Sequence, residues 1–313
     1  MNARMLFALV ITLVAEIPTL AEPPAYLSSA NQVLFLGDSI TYAGHFVSDV
    51  EIEWRLQHDG AAPEMINLGL PSETCSGLSE PDHPYPRPDV HERLQRALDK
   101  ARPDVVVACY GMNDGIYYPF DEQRFAAYQD GINRLIEKVQ ASGARLILMT
   151  PPPFDPLPLR KQGKLRSVDA EKFAWFAIYA GYDDVLARYA AWLMEQADRV
   201  DLVIDLHTPV NEYVSRRRKS DPDFTFSSDG VHLDAAGHRV LSATILDAWG
   251  MGVPRAAPAR LAELVRRRER MLHAAWVSHV GHLRPDVAAG LPLDEAEAQA
   301  AEIDQQISAF FAE

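Results

Sequence analysis

Val33-Leu34-Phe35-Leu36-Gly37-Asp38-Ser39-Ile40 is the stretch that decides how this chain folds. Its first four residues are all apolar, with no polar alternation. A strand exposed on one face would alternate, so this one is covered on both faces, as in a parallel sheet. The same pattern recurs at Val105 to Cys109, Leu146 to Met149 and Leu202 to Ile204, and more weakly at Met65 to Leu68. Helix-period segments lie between these runs. In 122–141 the apolar positions are Phe125, Tyr128, Ile132, Leu135, Ile136 and Val139, spaced by three, four and seven. Segments 44–58, 89–100, 182–199 and 234–249 read in the same way. Strand and helix in alternation predict an α/β protein with a parallel sheet and helices on both faces.

Two segments stand outside that rhythm. Residues 151–181 form a long excursion after the fourth strand. It opens on Pro151-Pro152-Pro153, and it and the residue after it carry Phe154, Phe173, Trp175, Phe176, Tyr179 and Tyr182. Two readings stand side by side: a lid or substrate wall, because loops at this end of a sheet border the site, and a surface loop with its own aromatic cluster. The second segment is the tail, 251–313. Leu261, Leu264, Val265, Met271, Leu272, Ala275 and Trp276 mark one amphipathic helix, and Ala296, Ala300, Ile303, Ile307 and Phe310 mark another. Gly290 and Pro292 separate them. This predicts a helical hairpin docked on the body or on a second subunit, with Arg266 to Arg270 as a solvated face.

The chain has 313 residues, 48% of them hydrophobic, and a formal net charge of -14. Such a composition builds a core. The negative charge argues against nucleic acid or an anionic membrane surface as partner. Met1 to Arg4 give a basic start, Met5 to Ala15 an apolar run too short to span a bilayer, and Thr19-Leu20-Ala21 a small-residue cleavage pattern. Residues 1–21 therefore read as a signal peptide, which implies a secreted or periplasmic protein. The expected organisation is signal peptide 1–21, catalytic body 22–250 and C-terminal helical extension 251–313. There are two cysteines. Cys109 reads as a core thiol and Cys75 lies in a loop; a bridge between them is not favoured. No spacing of metal ligands stands out.

The chemistry begins with Gly37-Asp38-Ser39-Ile40. A serine at the carboxyl end of a parallel strand sits where open α/β sheets bind ligands, although many such serines only cap the next helix. Tyr110-Gly111-Met112-Asn113-Asp114 follows the third strand. In a sheet ordered 2-1-3-4-5, strands one and three adjoin at the switch point, so Ser39 and Asn113 share a crevice. An asparagine amide suits a developing oxyanion. Late in the body comes Ser228-Asp229-Gly230-Val231-His232-Leu233-Asp234. Histidine is the base that a serine hydroxyl needs, and a carboxylate three residues earlier can fix its tautomer. Asp234 reads as the cap of the helix that follows.

These blocks resemble the SGNH hydrolases, the GDSL esterase and lipase superfamily, over residues 31–250. The matching blocks are Gly37-Asp38-Ser39-Ile40, Asn67-Leu68-Gly69, Gly111-Met112-Asn113-Asp114 and Asp229-Gly230-Val231-His232, in the family's order. The resemblance implies a three-layer α/β/α fold with a five-stranded flavodoxin-like sheet. It implies Ser39 as nucleophile, His232 as general base and then acid, and Asp229 orienting His232. The backbone N–H groups of Ser39 and Gly69 and the side chain of Asn113 would form the oxyanion hole, and Asp38 would shape the loop. After Gly69 the further glycine often found in the family is missing. The implied activity is a serine esterase acting through an acyl-enzyme, without metal or organic cofactor. Acetyl esters on a carbohydrate are favoured as substrate. A lipid or thioester hydrolase and a catalytically silent glycan-binding protein are the alternatives. A homo-oligomer built through the C-terminal helices is the expected assembly, if there is one. His207, at the end of the fifth strand, is a candidate for the crevice rim. His273, His279 and His282 share the tail with Trp276.

Overall fold

The computed structural model describes residues 23–312, so the expected signal peptide lies outside the described residues. After a short helix α1 (Ala25–Ser28), the chain runs β1 (Gln32–Gly37), α2 (Ser39–Tyr42), α3 (His45–Gln57), β2 (Glu64–Asn67) and α4 (Val90–Ala101). It continues β3 (Val105–Cys109), α5 (Glu122–Ala141), β4 (Arg145–Met149), α6 (Leu157–Lys161), α7 (Tyr182–Met194) and β5 (Leu202–Ile204). Four helices complete it: α8 (His207–Arg218), α9 (Ala235–Ala248), α10 (Ala259–Val280) and α11 (Leu293–Ala312). The five strands pair in parallel in the order β2-β1-β3-β4-β5.

The sheet's interior explains the apolar runs. Every residue of β3 is buried, as are Val33 to Gly37 of β1. Right-handed crossovers then sort the helices. The connection from β1 out to β2 travels one way along the sheet, and those from β2 to β3, β3 to β4 and β4 to β5 travel the other. This places α3 on one face and α4, α5 and α7 on the other. The order reverses between β1 and β3, whose C-terminal residues Gly37 and Cys109 are register partners. The loops after these strands carry Ser39 and Asn113.

Helix starts follow ordinary capping physics. Asp89, Asp121 and Asp234 accept backbone N–H groups at the starts of α4, α5 and α9, meeting donors that the helix itself cannot satisfy. Helix α7 is shorter than its pattern, ending at Met194 rather than 199. Leu193 is the last fully buried apolar residue of this helix, and 195–199 continue as turns in which only the polar Gln196 is buried.

The hairpin docks on the chain's own body. Helix α10 packs on α11 and also touches α3, β2 and α4. It therefore lies across the free edge of β2 and shields it. Ile52 of α3 joins Leu261, Leu264, Val265, Ile303 and Ile307 in a small second core. One expectation fails here: Arg266 to Arg270 is not a solvated face. Arg268 is 5% exposed and Glu269 4% exposed. Arg268 pairs with Glu64 of β2 at 2.5 Å and with Asp304 of α11 at 2.9 Å. On the helix Arg268 and Glu269 face inward while Arg267 and Arg270 stay exposed, and the inward pair finds partners distant in sequence.

Candidate active site

Backbone crowding builds the serine turn. A side chain at Gly37 would put its Cβ 2.2 Å from Thr41 Oγ1 and 2.9 Å from the carbonyl of Cys109. Only glycine lets α2 fold directly onto the ends of β1 and β3. Asp38 caps α2, its Oδ1 accepting the Ile40 N–H at 2.9 Å. Burial pushes the Asp38 carboxyl up to about 7, against the lowering effect of that hydrogen bond and of His232. Ser39 is the first residue of α2, so its N–H has no partner within the helix.

The loop from Ser227 to Asp234 brings the base. His232 Nε2 lies 2.8 Å from Ser39 Oγ, and His232 Nδ1 lies 2.7 Å from Asp229 Oδ2. Asp229 Oδ1 accepts three further bonds, from the N–H groups of Val231 and His232 and from Ser227 Oγ, each at 2.9 Å. Burial disfavours ionising Asp229, but its bonds from His232 prevail and hold the carboxyl well below the usual range. The bond to Asp229 raises the His232 imidazole, against burial. The loop is fixed from beneath. Gly230 has φ +81, and a Cβ there would lie 2.4 Å from the carbonyl of Asp155. Asp155 in turn receives Arg218 and Thr225. The excursion's opening residues therefore brace the histidine loop.

Asn113 is buried, at 3% exposure. Its Oδ1 accepts from Arg87 Nη1 at 3.0 Å and from the Tyr117 hydroxyl at 2.9 Å. Its Nδ2 donates to the carbonyl of Glu73 at 3.1 Å. Two donors on the oxygen leave no ambiguity about which way the amide points, and one hydrogen on Nδ2 remains for another acceptor. A guanidinium on the carbonyl side also polarises the amide toward stronger donation. Arg87 is held by Glu80 at 2.6 Å and 2.7 Å, with both side chains buried. Asp114 ties the neighbouring loop down by accepting the N–H groups of Cys75 and Ser76, and burial raises its carboxyl to about 6. Sequence reading missed Arg87, Glu80, Glu73 and Tyr117. No motif marks them; only the place of Arg87 between prolines (Pro84, Pro86, Pro88) sets it apart in the sequence.

Gly69 needs correcting. Its N–H, expected in the oxyanion hole, donates instead to Asn67 Oδ1 at 2.8 Å. The residue is glycine because a Cβ there would lie 2.2 Å from the backbone nitrogen of Tyr42. Its place in the sequence block reflects close packing against α2. The loop turns three residues later, at Ser72, which holds φ +67. His207 is anchored to Asp183 at 3.0 Å. Cys75 and Cys109 are both free and buried. The excursion is anchored by Phe154, Phe173 and Ile178, which are buried, while much of 160–172 is exposed and Trp175 and Phe176 stay 52% and 54% exposed.

The model of the GDSL-like Lipase/Acylhydrolase family matches residues 35–240. No curated protein matches the chain. Among solved structures, a gut microbial diltiazem-metabolizing enzyme is similar at TM-score 0.54 and 19% identity, over 74% of this chain. The match spans only 48% of that enzyme. The acetylxylan esterase Axe2 of Geobacillus stearothermophilus is similar at TM-score 0.53 and 18% identity, over 72% of this chain and 97% of that one. A third, the acetyl xylan esterase AlAXEase, gives TM-score 0.50 and 20% identity, over 69% and 98%. At such identities the likeness is one of fold.

Proposed function

This chain is a carboxylic ester hydrolase of the GDSL-like lipase/acylhydrolase family, and we propose that it removes acetyl groups from a carbohydrate through an acyl-enzyme on Ser39. The observation that carries the proposal is the unbroken row Ser39 Oγ, His232 Nε2, His232 Nδ1, Asp229 Oδ2, at 2.8 and 2.7 Å. His232 takes the Ser39 proton as Oγ attacks the ester carbonyl. The remaining Asn113 N–H and the Ser39 N–H receive the developing oxyanion. The C–O bond to the alcohol breaks, and His232 returns the proton to that alcohol. Water then gives a proton to His232 as it attacks the acetyl-enzyme, releasing acetate and restoring Ser39. We place the second backbone donor at Ser72 rather than Gly69. Ser72 has the left-handed φ that a glycine would adopt, and it precedes the Glu73 carbonyl that anchors Asn113.

Two features favour sugar. The exposed rings of Trp175 and Phe176 form a T-shaped pair 5.4 Å apart. The backbone N–H of Trp175 donates to Glu80 Oε1 at 3.3 Å, and Glu80 in turn holds the Arg87 that bonds Asn113. An exposed indole carried on a backbone that is anchored to the oxyanion side suits a pyranose face. The acetylxylan esterase activity named for Axe2 is of the same kind. We also propose export, from the N-terminal pattern; a mature chain beginning near Glu22 in the culture medium or periplasm would support it. The deciding experiment is hydrolysis of nitrophenyl esters of increasing chain length and of acetylated xylo-oligosaccharides, beside Ser39→Ala. Loss of turnover in the variant and a preference for acetate are expected. A variant that keeps turnover, or a rate that climbs with chain length, would overturn the proposal.

A further inference from the structure

We propose that the C-terminal hairpin, which lies beyond the family match, is a working part of the active site, with Glu269 and His273 of α10 as positioning residues. They hold the serine turn and the 67–73 loop in register with one another. The inference rests on the esterase reading for its kinetic consequence, but not for its geometry.

Asn67 is the hub. Its Nδ2 donates to the Thr41 carbonyl at 2.9 Å and to Glu269 Oε1 at 2.8 Å, while its Oδ1 accepts the Gly69 N–H at 2.8 Å. Thr41 belongs to the helix that Ser39 opens, and Gly69 leads into Ser72 and Glu73. One buried amide therefore spaces the nucleophile's helix from the loop that anchors Asn113. Glu269 takes the amide hydrogen that Thr41 does not. It accepts in either protonation state, so the tie does not depend on its charge. Its carboxylate is pressed against Gly44, where a Cβ would fall 2.6 Å from Oε1.

His273 lies one helical turn further along the same face of α10. Its Nε2 reaches the Gly69 carbonyl at 3.2 Å, and its ring meets Tyr42 edge-on with centroids 4.7 Å apart. Burial lowers its imidazole to about 4, so the ring is neutral, and the Gly69 carbonyl, which can only accept, calls for the ring hydrogen on Nε2. Gly69 is thus held on both sides, its N–H through Asn67 and its carbonyl by α10. Beyond α10, Arg284 Nε donates to the Pro71 carbonyl at 2.9 Å.

Docking alone does not call for these groups. The hairpin already has an apolar seam of Leu261, Leu264, Val265, Ile303 and Ile307 against Ile52. A carboxylate and an imidazole at 4% and 7% exposure cost desolvation that apolar side chains would avoid. Their hydrogen bonds both end on the 67–69 loop, which Asn67 ties to the Thr41 carbonyl of the serine turn.

The test compares full-length wild type, Glu269→Ala, Glu269→Gln and Ile307→Ala, assayed on nitrophenyl acetate well below each melting temperature. Misplacing reacting groups by about 1 Å costs about a hundredfold, and a partial relaxation here should lower kcat about tenfold in Glu269→Ala, with KM little changed. Glu269→Gln keeps an acceptor oxygen and should restore wild-type kcat. Ile307→Ala should lower the melting temperature and leave kcat alone. Amide hydrogen exchange gives a readout that needs no turnover: peptides covering 38–44 and 66–73 should exchange faster in Glu269→Ala only. A folded Glu269→Ala with wild-type kcat and unchanged exchange overturns the inference. So does an Ile307→Ala that loses kcat equally. If Ser39→Ala kept activity, the esterase reading would fall, and the exchange data would still decide the positioning.

Discussion

Asp229→Asn tests the proposed chemistry at its most sensitive point. Asp229 Oδ1 is fixed as an acceptor by the N–H groups of Val231 and His232, each at 2.9 Å. The new amide must keep its oxygen there and turn its NH2 toward His232 Nδ1, where a carboxylate oxygen now lies at 2.7 Å. A donor in that place demands a bare Nδ1. The imidazole hydrogen then moves to Nε2 and points at Ser39 Oγ, where it cannot accept the serine proton. In a buried triad this exchange lowers kcat by about 10⁴-fold. Here the two side chains are 53% and 49% exposed, so water screens the charge contribution and the tautomer contribution remains. We expect a loss of about 10²- to 10³-fold, or about 3–4 kcal/mol in activation free energy. The assay is burst and steady-state hydrolysis of nitrophenyl acetate, with active sites counted by a fluorophosphonate. A pH profile adds a second arm. His232 must be neutral to act as base, so wild-type activity falls as pH drops through its raised value. The Asp229 hydrogen bond is the main cause of that rise, so the acid limb of the variant should move to lower pH. An Asp229→Asn enzyme that keeps more than about a tenth of kcat, with its acid limb unmoved, would refute the tautomer argument.

Asn113→Ala should lower kcat about 10²- to 10³-fold with KM little changed, the loss of one oxyanion donor, and should also lower the melting temperature by stranding Arg87 Nη1 and the Tyr117 hydroxyl. Glu269→Gln should be more stable than wild type at about pH 8 and show less advantage at about pH 5. Burial raises the folded-state carboxyl from 4.5 to about 7, so the stability this group contributes is complete below its ordinary value and is lost as pH rises through about 7. Glutamine does not titrate, and calorimetry should find a gap of up to about 3 kcal/mol at the higher pH; a gap independent of pH would contradict the burial argument. Trp175→Ala should raise KM for acetylated xylo-oligosaccharides about two- to tenfold and leave nitrophenyl acetate untouched. Equal effects on both substrates would show that the ring has no sugar to stack on.

Much of this was legible because it is local. Residues that share a covered strand or one face of a helix announce it by their spacing, so the bounds of β3, β5 and α5 read directly from the chain. Strand order came with the family resemblance, and the sheet's order β2-β1-β3-β4-β5 puts the serine and asparagine loops side by side. Ser39, Asp229 and His232 could be named because each sits in a short block next to a strand or helix end. The Asp229–His232 bond spans three residues, and one loop builds it. Gly69 misled for a related reason: a glycine in a block looks the same whether it frees an N–H or makes room for Tyr42. Arg87, Glu80, Glu73 and Tyr117, which fix the amide of Asn113, follow no period and carry no motif. The same holds for Arg268 and Glu269, which read as surface charge and lie buried. The sequence by itself determined the alternating strands and helices, because these rest on periodicity, and its short blocks pointed through family resemblance to the strand order and to Ser39, Asp229 and His232 as candidates. Only the tertiary structure decided which buried polar groups satisfy one another, because a hydrogen bond such as Asn67 to Glu269, 202 residues apart, depends on distance in space and leaves no periodic trace in the chain.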